Sequence, residues 1–331
     1  MSYKETIDLR QNQIHQWLKT ILPSPDYQME PASNDASFRR YFRITQHGNT
    51  WIVMDAPPEH EDTTPFIKIA EFLHSQGINV PRIHAKQSTL GFLLLSDLGN
   101  TQYLDKLTDD SAPELYQSAI NELIQFQYSD INHIELPQYD AALLKQEMLL
   151  FPEWFLGKHL NIDPPEFLET IYQTLIESAL EQPRTFVHRD YHSRNLMVTN
   201  DDQPGVIDFQ DAVIGPISYD LVSLLRDCYI AWPDDKINSW INYYLSNAQH
   251  HGLLSTVSTE RFTRWFDLMG LQRHIKILGI FARLNYRDNK PNYMNDLPLT
   301  LRYVHQISQK YPELAELSGF LEQQPQIATI L

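Results

Sequence analysis

The chain contains a single cysteine, Cys228, in 331 residues. An intrachain disulfide and any multi-cysteine zinc or iron–sulfur site are thereby excluded, and the reducing cytoplasm is the expected compartment. Basic charge is also scarce: 26 Lys and Arg stand against 42 Asp and Glu, a formal charge of -16. Such a surface repels a phosphate backbone, so nucleic acid is not an expected partner, and an anionic ligand needs local cations or a metal. Long apolar runs are missing too. No stretch approaches the roughly 20 residues needed to span a bilayer, although 42% of the residues are hydrophobic, so a globular protein without a membrane partner is expected. The opening MSYKETIDLRQNQIHQWLKTIL alternates charged and apolar residues, unlike an export signal.

What is present has two textures. Residues 5–22 carry Ile7, Ile14, Trp17, Leu18 and Ile21 near helical spacing, ended by Pro23. SFRRYFRI and TWIVMDA then read as two strands joined by the turn-prone QHGN. TPFIKIAEFLHSQ reads as an amphipathic helix stopped by Gly77, followed by strands in VPRIHA and GFLLLSDLG. Beyond residue 97 the pattern is mainly helical, with helices expected near 112–128, 139–160, 165–182, 218–230, 234–250, 258–287, 293–310 and 313–322. FVHRD, NLMVT and GVIDF interrupt it as short apolar runs joined by polar turns. The expected class is α+β, with a small β-rich N-lobe over residues 1–96 and a larger helical C-lobe over 97–331.

The chemistry concentrates in TFVHRDYHSRNLMV, Thr185–Val198. His188 and His192 are four apart, as in helical H-E-x-x-H zinc sites, but Arg189 follows the first histidine and strand-like runs flank the pair. A zinc site is therefore disfavoured. His188, Arg189, Asp190 and Asn195 match instead the H-R-D-x-x-x-x-N loop of phosphoryl transfer, and IDFQD supplies a later aspartate, Asp208. In that reading Asp190 accepts the proton of the acceptor hydroxyl, while Asn195 and Asp208 offer oxygen ligands to the hard Mg2+ ion. Asp220, opening SYDLVSLL, is read as a helix cap or a buried anchor for the loop.

At these residues the chain resembles the aminoglycoside phosphotransferase-like kinases, a small-molecule branch of the protein-kinase-like fold. Further blocks, SNDASFRRYFRI, WIVMDAPP, LLFPEWFLGKHL, IDFQDAVIGPISYDLVSLL and GLQRHIKILGIFARLNYRDNKPNY, resemble the bacterial anomeric kinases of N-acetylmuramate and N-acetylglucosamine in peptidoglycan recycling. The resemblance implies a two-lobed protein-kinase-like fold, ATP and Mg2+ as cofactors, and transfer of the γ-phosphate to an anomeric hydroxyl. It also implies that Ser96, Asp97 and Leu98 in GFLLLSDLG hold adenine. A small amino-sugar substrate and a monomer are expected; an aminoglycoside, an amino alcohol or a pseudokinase without turnover are the alternatives.

Two departures stand out. SNDAS lacks the glycines of a G-x-G-x-x-G loop, and WIVMDAPP places Met54 and Asp55 where a phosphate-gripping lysine belongs. Arg43 or Arg40 is the expected substitute cation. On the helix near 258–287, Leu268, Leu271, Ile275, Leu278 and Ala282 form an apolar face, and Arg273, Lys276, Arg283 and Arg287 form a basic one. Such a stripe is ordinarily solvated; alternatively Arg273 or Arg283 reaches a substrate carboxylate or the transferring phosphate. His192 is a further candidate near substrate, and Trp154 is read either as a sugar-stacking ring or as a core aromatic.

Overall fold

The computed structural model describes residues 3–34, 38–200 and 203–331. Asp35, Ala36 and Ser37 of the SNDAS loop lie outside those residues. The chain forms two compact units. The first is Met1–Thr101 with Met197–Asn200 and Gly205–Gln210; the second is Gln102–Leu196 with Asp201–Pro204 and Asp211–Leu331. A single cut at residue 96 therefore does not describe the first unit, to which the chain returns after Leu196.

In the first unit, helix α1 (Tyr3–Ile21) precedes β1 (Gln28–Asn34), β2 (Arg40–Gln46), β3 (Asn49–Asp55), α2 (Thr64–Ser75), β4 (Ile83–Gln87) and β5 (Phe92–Ser96). The strands form one antiparallel sheet in the order β1-β2-β3-β5-β4. His47 and Gly48 close the β2–β3 hairpin at φ 49° and 81°, the double left-handed conformation that matches strand twist in a two-residue turn. Strand alternation sets Phe42 and Ile44 of β2, Val53 of β3, and Phe92 and Leu94 of β5 on one face, where Ile14, Trp17 and Leu18 of α1 pack against them. By the same alternation Arg40 and Asp55 share that face, whereas Tyr41, Arg43 and Met54 occupy the opposite one. Helix α2 starts with Pro65 near its N-terminus, where a missing N–H costs nothing, and Gly77 follows it at φ 81°.

Downstream come α3 (Tyr103–Lys106), α4 (Ala112–Tyr128), α5 (Ala141–Met148), α6 (Leu168–Leu180), β6 (Arg184–Val187), β7 (Leu196–Met197), β8 (Gly205–Val206), β9 (Val213–Pro216) and α7 (Tyr219–Leu225). Helices α8 (Asp234–His250), α9 (Thr259–Tyr286), α10 (Leu297–Lys310), α11 (Ala315–Gln323) and α12 (Pro325–Ala328) complete the chain. β6 pairs with β9, and the strand in VIGP was not expected from the sequence.

The helix expected over 139–160 is a correction. It stops at Met148, and Phe151–Leu160 winds as a π-helix instead. Pro152 supplies no N–H for the Met148 carbonyl and its ring crowds the preceding turn, which breaks the α-helical ladder there. The second unit is organised around α9, buried nearly all round from Phe262 to Ala282. α6, α7, α10 and the π-helical segment pack on it. Gly279 permits a close approach: a Cβ there would lie 2.4 Å from the Leu150 carbonyl carbon.

Candidate active site

In the second unit β6 delivers the chain into His188-Arg189-Asp190. Arg189 adopts φ 76°, a left-handed conformation that costs a non-glycine residue roughly 1–2 kcal/mol and persists only where its surroundings over-determine it. Asp220 provides the first restraint: its two oxygens accept the His188 N–H at 2.7 Å and the Arg189 N–H at 3.0 Å. It caps no helix; α7 begins at Tyr219 with no side-chain cap, so Asp220 is the buried anchor. The Asp190 N–H donates to His188 Nδ1 at 3.2 Å. Asp227 accepts the Ser193 N–H at 3.0 Å and its hydroxyl. The Asn195 Nδ2 donates to the Asp190 carbonyl at 3.0 Å. His188 therefore works as an acceptor within the loop. Among the described residues, no group of three or more His, Cys, Asp or Glu is arranged to hold a metal.

Burial alone would raise the Asp190 carboxyl, but Lys276, His192, Arg273 and His188 outweigh it and hold it below its ordinary value. It is ionised at neutral pH, as a proton acceptor must be. His192 is 9% exposed, and burial lowers its affinity for protons. Its Nδ1 has no hydrogen-bond partner among the described residues. Arg273 is 2% exposed; its Nη1 lies 3.7 Å from the Cys228 sulfur, and its Nε lacks a partner among the described residues.

In the first unit, Asp208 adopts φ 66°. Its Oδ1 accepts Gln210 Nε2 at 2.7 Å, and Phe209 beside it is fully buried, 4.9 Å from the ring of Phe66 on α2. Arg43 Nε donates to Asp97 Oδ2 at 2.7 Å and its Nη2 to the Gly99 carbonyl at 2.9 Å. Burial would raise the Asp97 carboxyl, yet the Arg43 pair and the Gly99 N–H hold it low. Arg43 thus braces the segment after β5. The Ser96 N–H donates to the Arg82 carbonyl at 2.9 Å and its hydroxyl accepts the Arg82 N–H; Leu98 is half-buried. Arg40, the other candidate cation, is committed elsewhere. It shares the fully buried Asp55 with Arg10 of α1, which also reaches the Leu90 carbonyl at 2.7 Å. Asp55 is thus the centre of an ion triad on the α1 face of the sheet.

The basic face of α9 is not a solvated stripe. Arg273 and Lys276 are buried, Arg283 is half-buried and Arg287 is exposed. Arg273 lies within electrostatic range of Asp190, whereas Arg283 is ten residues further along, about 15 Å on an α-helix, and interacts with Glu153 and Arg287. Trp154 is half-buried on the π-helical segment, while its neighbour Phe155 is fully buried core.

Residues 28–254 match the phosphotransferase enzyme family. The chain belongs to that family. Two curated relatives, each named N-acetylmuramate/N-acetylglucosamine kinase, come from Pseudomonas aeruginosa and Neisseria meningitidis. The first is 45% identical, with 96% of this chain and 98% of the relative covered. The second is 40% identical, with 94% and 95% covered. Among solved structures, an ADP-bound aminoglycoside phosphotransferase superposes with a TM-score of 0.58 at 14% identity, covering 89% of this chain and 98% of that one. A choline kinase from Streptococcus pneumoniae gives 0.62 at 12% identity, covering 89% and 99%. At such identities these two likenesses establish the protein-kinase-like fold.

Around Asp190 this phosphotransferase carries groups that motif spacing does not reveal. Glu147 of α5 accepts from Arg189, from the Tyr139 hydroxyl and, at 3.1 Å, from Lys276. Its position was readable as a charge on an apolar helix face, between Leu144, Met148 and Phe151. Asp227 leaves no such trace, because it follows α7 in irregular chain.

Proposed function

We propose that the protein is an ATP-dependent kinase that phosphorylates the anomeric hydroxyl of N-acetylmuramate and N-acetylglucosamine, giving the sugar 1-phosphate and ADP. The carrying observation is Asp190: an ionised, partly accessible carboxylate on a loop restrained by Asp220, Asp227 and Asn195. The acceptor is supported by the 40–45% identity to relatives named for these two sugars. The enzyme acts in the cytoplasm as a monomer.

In the reaction the acceptor hydroxyl donates a hydrogen bond to Asp190, its oxygen forms a bond to the γ-phosphorus, and its proton passes to the Asp190 carboxylate. The bond between the γ-phosphorus and the β–γ bridging oxygen breaks, and its electron pair leaves with ADP. Phosphoryl transfer needs little more from a protein than positioning and charge. Ser96, Asp97 and Leu98 carry the adenine, with Arg43 fixing Asp97. His192, Arg273, Trp154 and Arg283 are assigned to the sugar acceptor.

Taken singly, Asn195 and Asp208 each offer the hard oxygen ligand that magnesium takes. The Asn195 amide donates through Nδ2, which directs Oδ1 to the opposite end of the group, and Asp208 adds a carboxylate. Mg2+ ordinarily takes one or two protein oxygens and fills its remaining positions with water and phosphate. The ion, when bound, neutralises charge on the triphosphate.

An acceptor screen for ADP release, followed by phosphorus NMR of the product, tests this reading. The expected product is the 1-phosphate of either sugar. A phosphate on another hydroxyl, or turnover only with aminoglycosides or amino alcohols, overturns the acceptor assignment. Met54 in place of lysine favours one other reading, a nucleotide-binding protein without turnover. Thermal stabilisation by ATP without acceptor-dependent ADP release would establish it.

A further inference from the structure

Glu147, Lys276 and Arg189 meet from three separate parts of the second unit: α5, α9 and the loop preceding Asp190. The Glu147 side chain is 8% exposed, as is that of Lys276. One carboxylate thus receives the Arg189 guanidinium, the Lys276 ammonium and the Tyr139 hydroxyl. Around it, Lys276 Nζ also lies 3.1 Å from the Tyr219 hydroxyl, and Gln272 Nε2 donates to the Tyr139 oxygen at 3.3 Å. The Arg189 guanidinium lies over the Tyr139 ring, 5.8 Å from its centroid.

Stability alone is a poor reason for this arrangement. A buried ion cluster is often no better than apolar side chains of the same volume, whereas removal of one member is costly. What such a cluster adds is direction. Arg189 is the left-handed residue immediately before Asp190, and its backbone N–H is already held by Asp220. The backbone restraint fixes one end of the residue; the Glu147 carboxylate fixes the other. Rotation of the Arg189 peptide, which would swing the Asp190 carboxylate, pulls the guanidinium off Glu147. The second cation matters because Lys276 holds Glu147 in place from α9, and Lys276 is also the strongest favourable charge acting on Asp190.

We propose that Glu147, Lys276 and Arg189 form a positioning triad that sets the direction from which the Asp190 carboxylate meets the acceptor hydroxyl. The proposal rests on the reading of Asp190 as the proton acceptor, and the triad acts through Asp190.

The test is a double-mutant cycle with steady-state kinetics. A misplacement of about 1 Å in a reacting group lowers turnover on the order of 100-fold. Lys276→Met is therefore expected to lower kcat about 30- to 100-fold, with KM for ATP and for sugar within about twofold of the parent, while Lys276→Arg recovers most of the rate. In an Asp190→Asn background the same Lys276→Met change is expected to cost less than about threefold, since residues acting as one unit are not additive. Glu147→Gln, which preserves shape, serves as a second variant should Lys276→Met not fold, with the same loss confined to kcat. Equal losses in both backgrounds, an unchanged kcat, or a rise in sugar KM alone would overturn the triad. Parental turnover in Asp190→Asn itself would instead sink the reading of Asp190, so the two failures are told apart.

Discussion

Asp190 and Asp220 are neighbouring carboxylates, the first half-buried and the second buried, and their surroundings drive them in opposite directions. Burial pushes the Asp220 carboxyl up to about 7, despite the two backbone N–H groups it accepts and with Asp190 adding repulsion. Burial also pushes Asp190 upward, but Lys276, His192, Arg273 and His188 outweigh it. One carboxylate is shaped for chemistry and the other for architecture. Substitution separates the roles. Asp220→Asn retains a single acceptor oxygen for two backbone donors, leaving one buried N–H facing an NH2 group. It is expected to destabilise the protein by about 1–3 kcal/mol, read by urea unfolding, and to lower kcat as the loop loosens. Stability and turnover both equal to the parent would contradict the anchor. Residues of this kind were only half legible. Asp190, Asn195 and Asp208 stand out because phosphoryl transfer needs those types in that order. The partner that each buried charge finds is set by tertiary packing, so the Arg10–Asp55–Arg40 triad and the Asp227–Ser193 contact could not be read from spacing.

At the scale of elements, α9 shows both what periodicity reveals and what it hides. Leu268, Leu271, Ile275, Leu278 and Ala282 repeat at 3-4-3-4, and all are buried. The helix length followed directly from that pattern. Arg273 and Lys276 have the spacing of a solvated stripe because periodicity reports one face, whereas this helix is covered on nearly every side. The π-helical turn at Phe151–Leu160 escaped for a related reason: Pro152 signals a break but does not specify the winding that follows. Contact between this segment and α9 depends on Gly279. Gly279→Ala would place a methyl 2.4 Å from the Leu150 carbonyl carbon, a backbone clash that the helices relieve only by separating. Overpacking of this kind costs about 1–3 kcal/mol. A lower urea midpoint with an unchanged slope is expected; an unchanged midpoint would show that the two helices are not held in register there.

The whole molecule is strongly acidic in composition, its second unit buries charges of both signs, and its response to pH follows from groups sealed inside it. His274 is fully buried, and burial with the neighbouring Arg273 and Arg226 charges lowers its pKa to about 3. Its ordinary value is about 6.5, so unfolding takes up a proton between those limits. Its contribution to stability is complete above about 6.5 and is lost as the pH falls toward 3. Asp220 works in the other sense. Its folded value near 7 lies above its ordinary 3.8, so stability declines as the pH rises through that interval. Over much of the acid range the two oppose one another. Comparison of the parent with His274→Gln by urea unfolding isolates the first: the advantage of the parent should be larger at pH 7.5 than at pH 4.5. An advantage independent of pH would show that His274 is not buried neutral.

The two-unit architecture was legible because the β-rich and helical textures occupy separate stretches of chain. Its interleaving was not, since Met197–Asn200 and Gly205–Gln210 return to the first unit through pairings that no local pattern encodes. Asp190 carries the chemistry, and Asp190→Asn separates catalysis from nucleotide binding. In Asp190→Asn, sugar phosphorylation should fall by about 100- to 10,000-fold, the range of a lost general base. The dissociation constant for ATP, measured by titration calorimetry in magnesium, should stay within about threefold of the parent. Phosphorylation above about a tenth of the parental rate would show that Asp190 is not the proton acceptor.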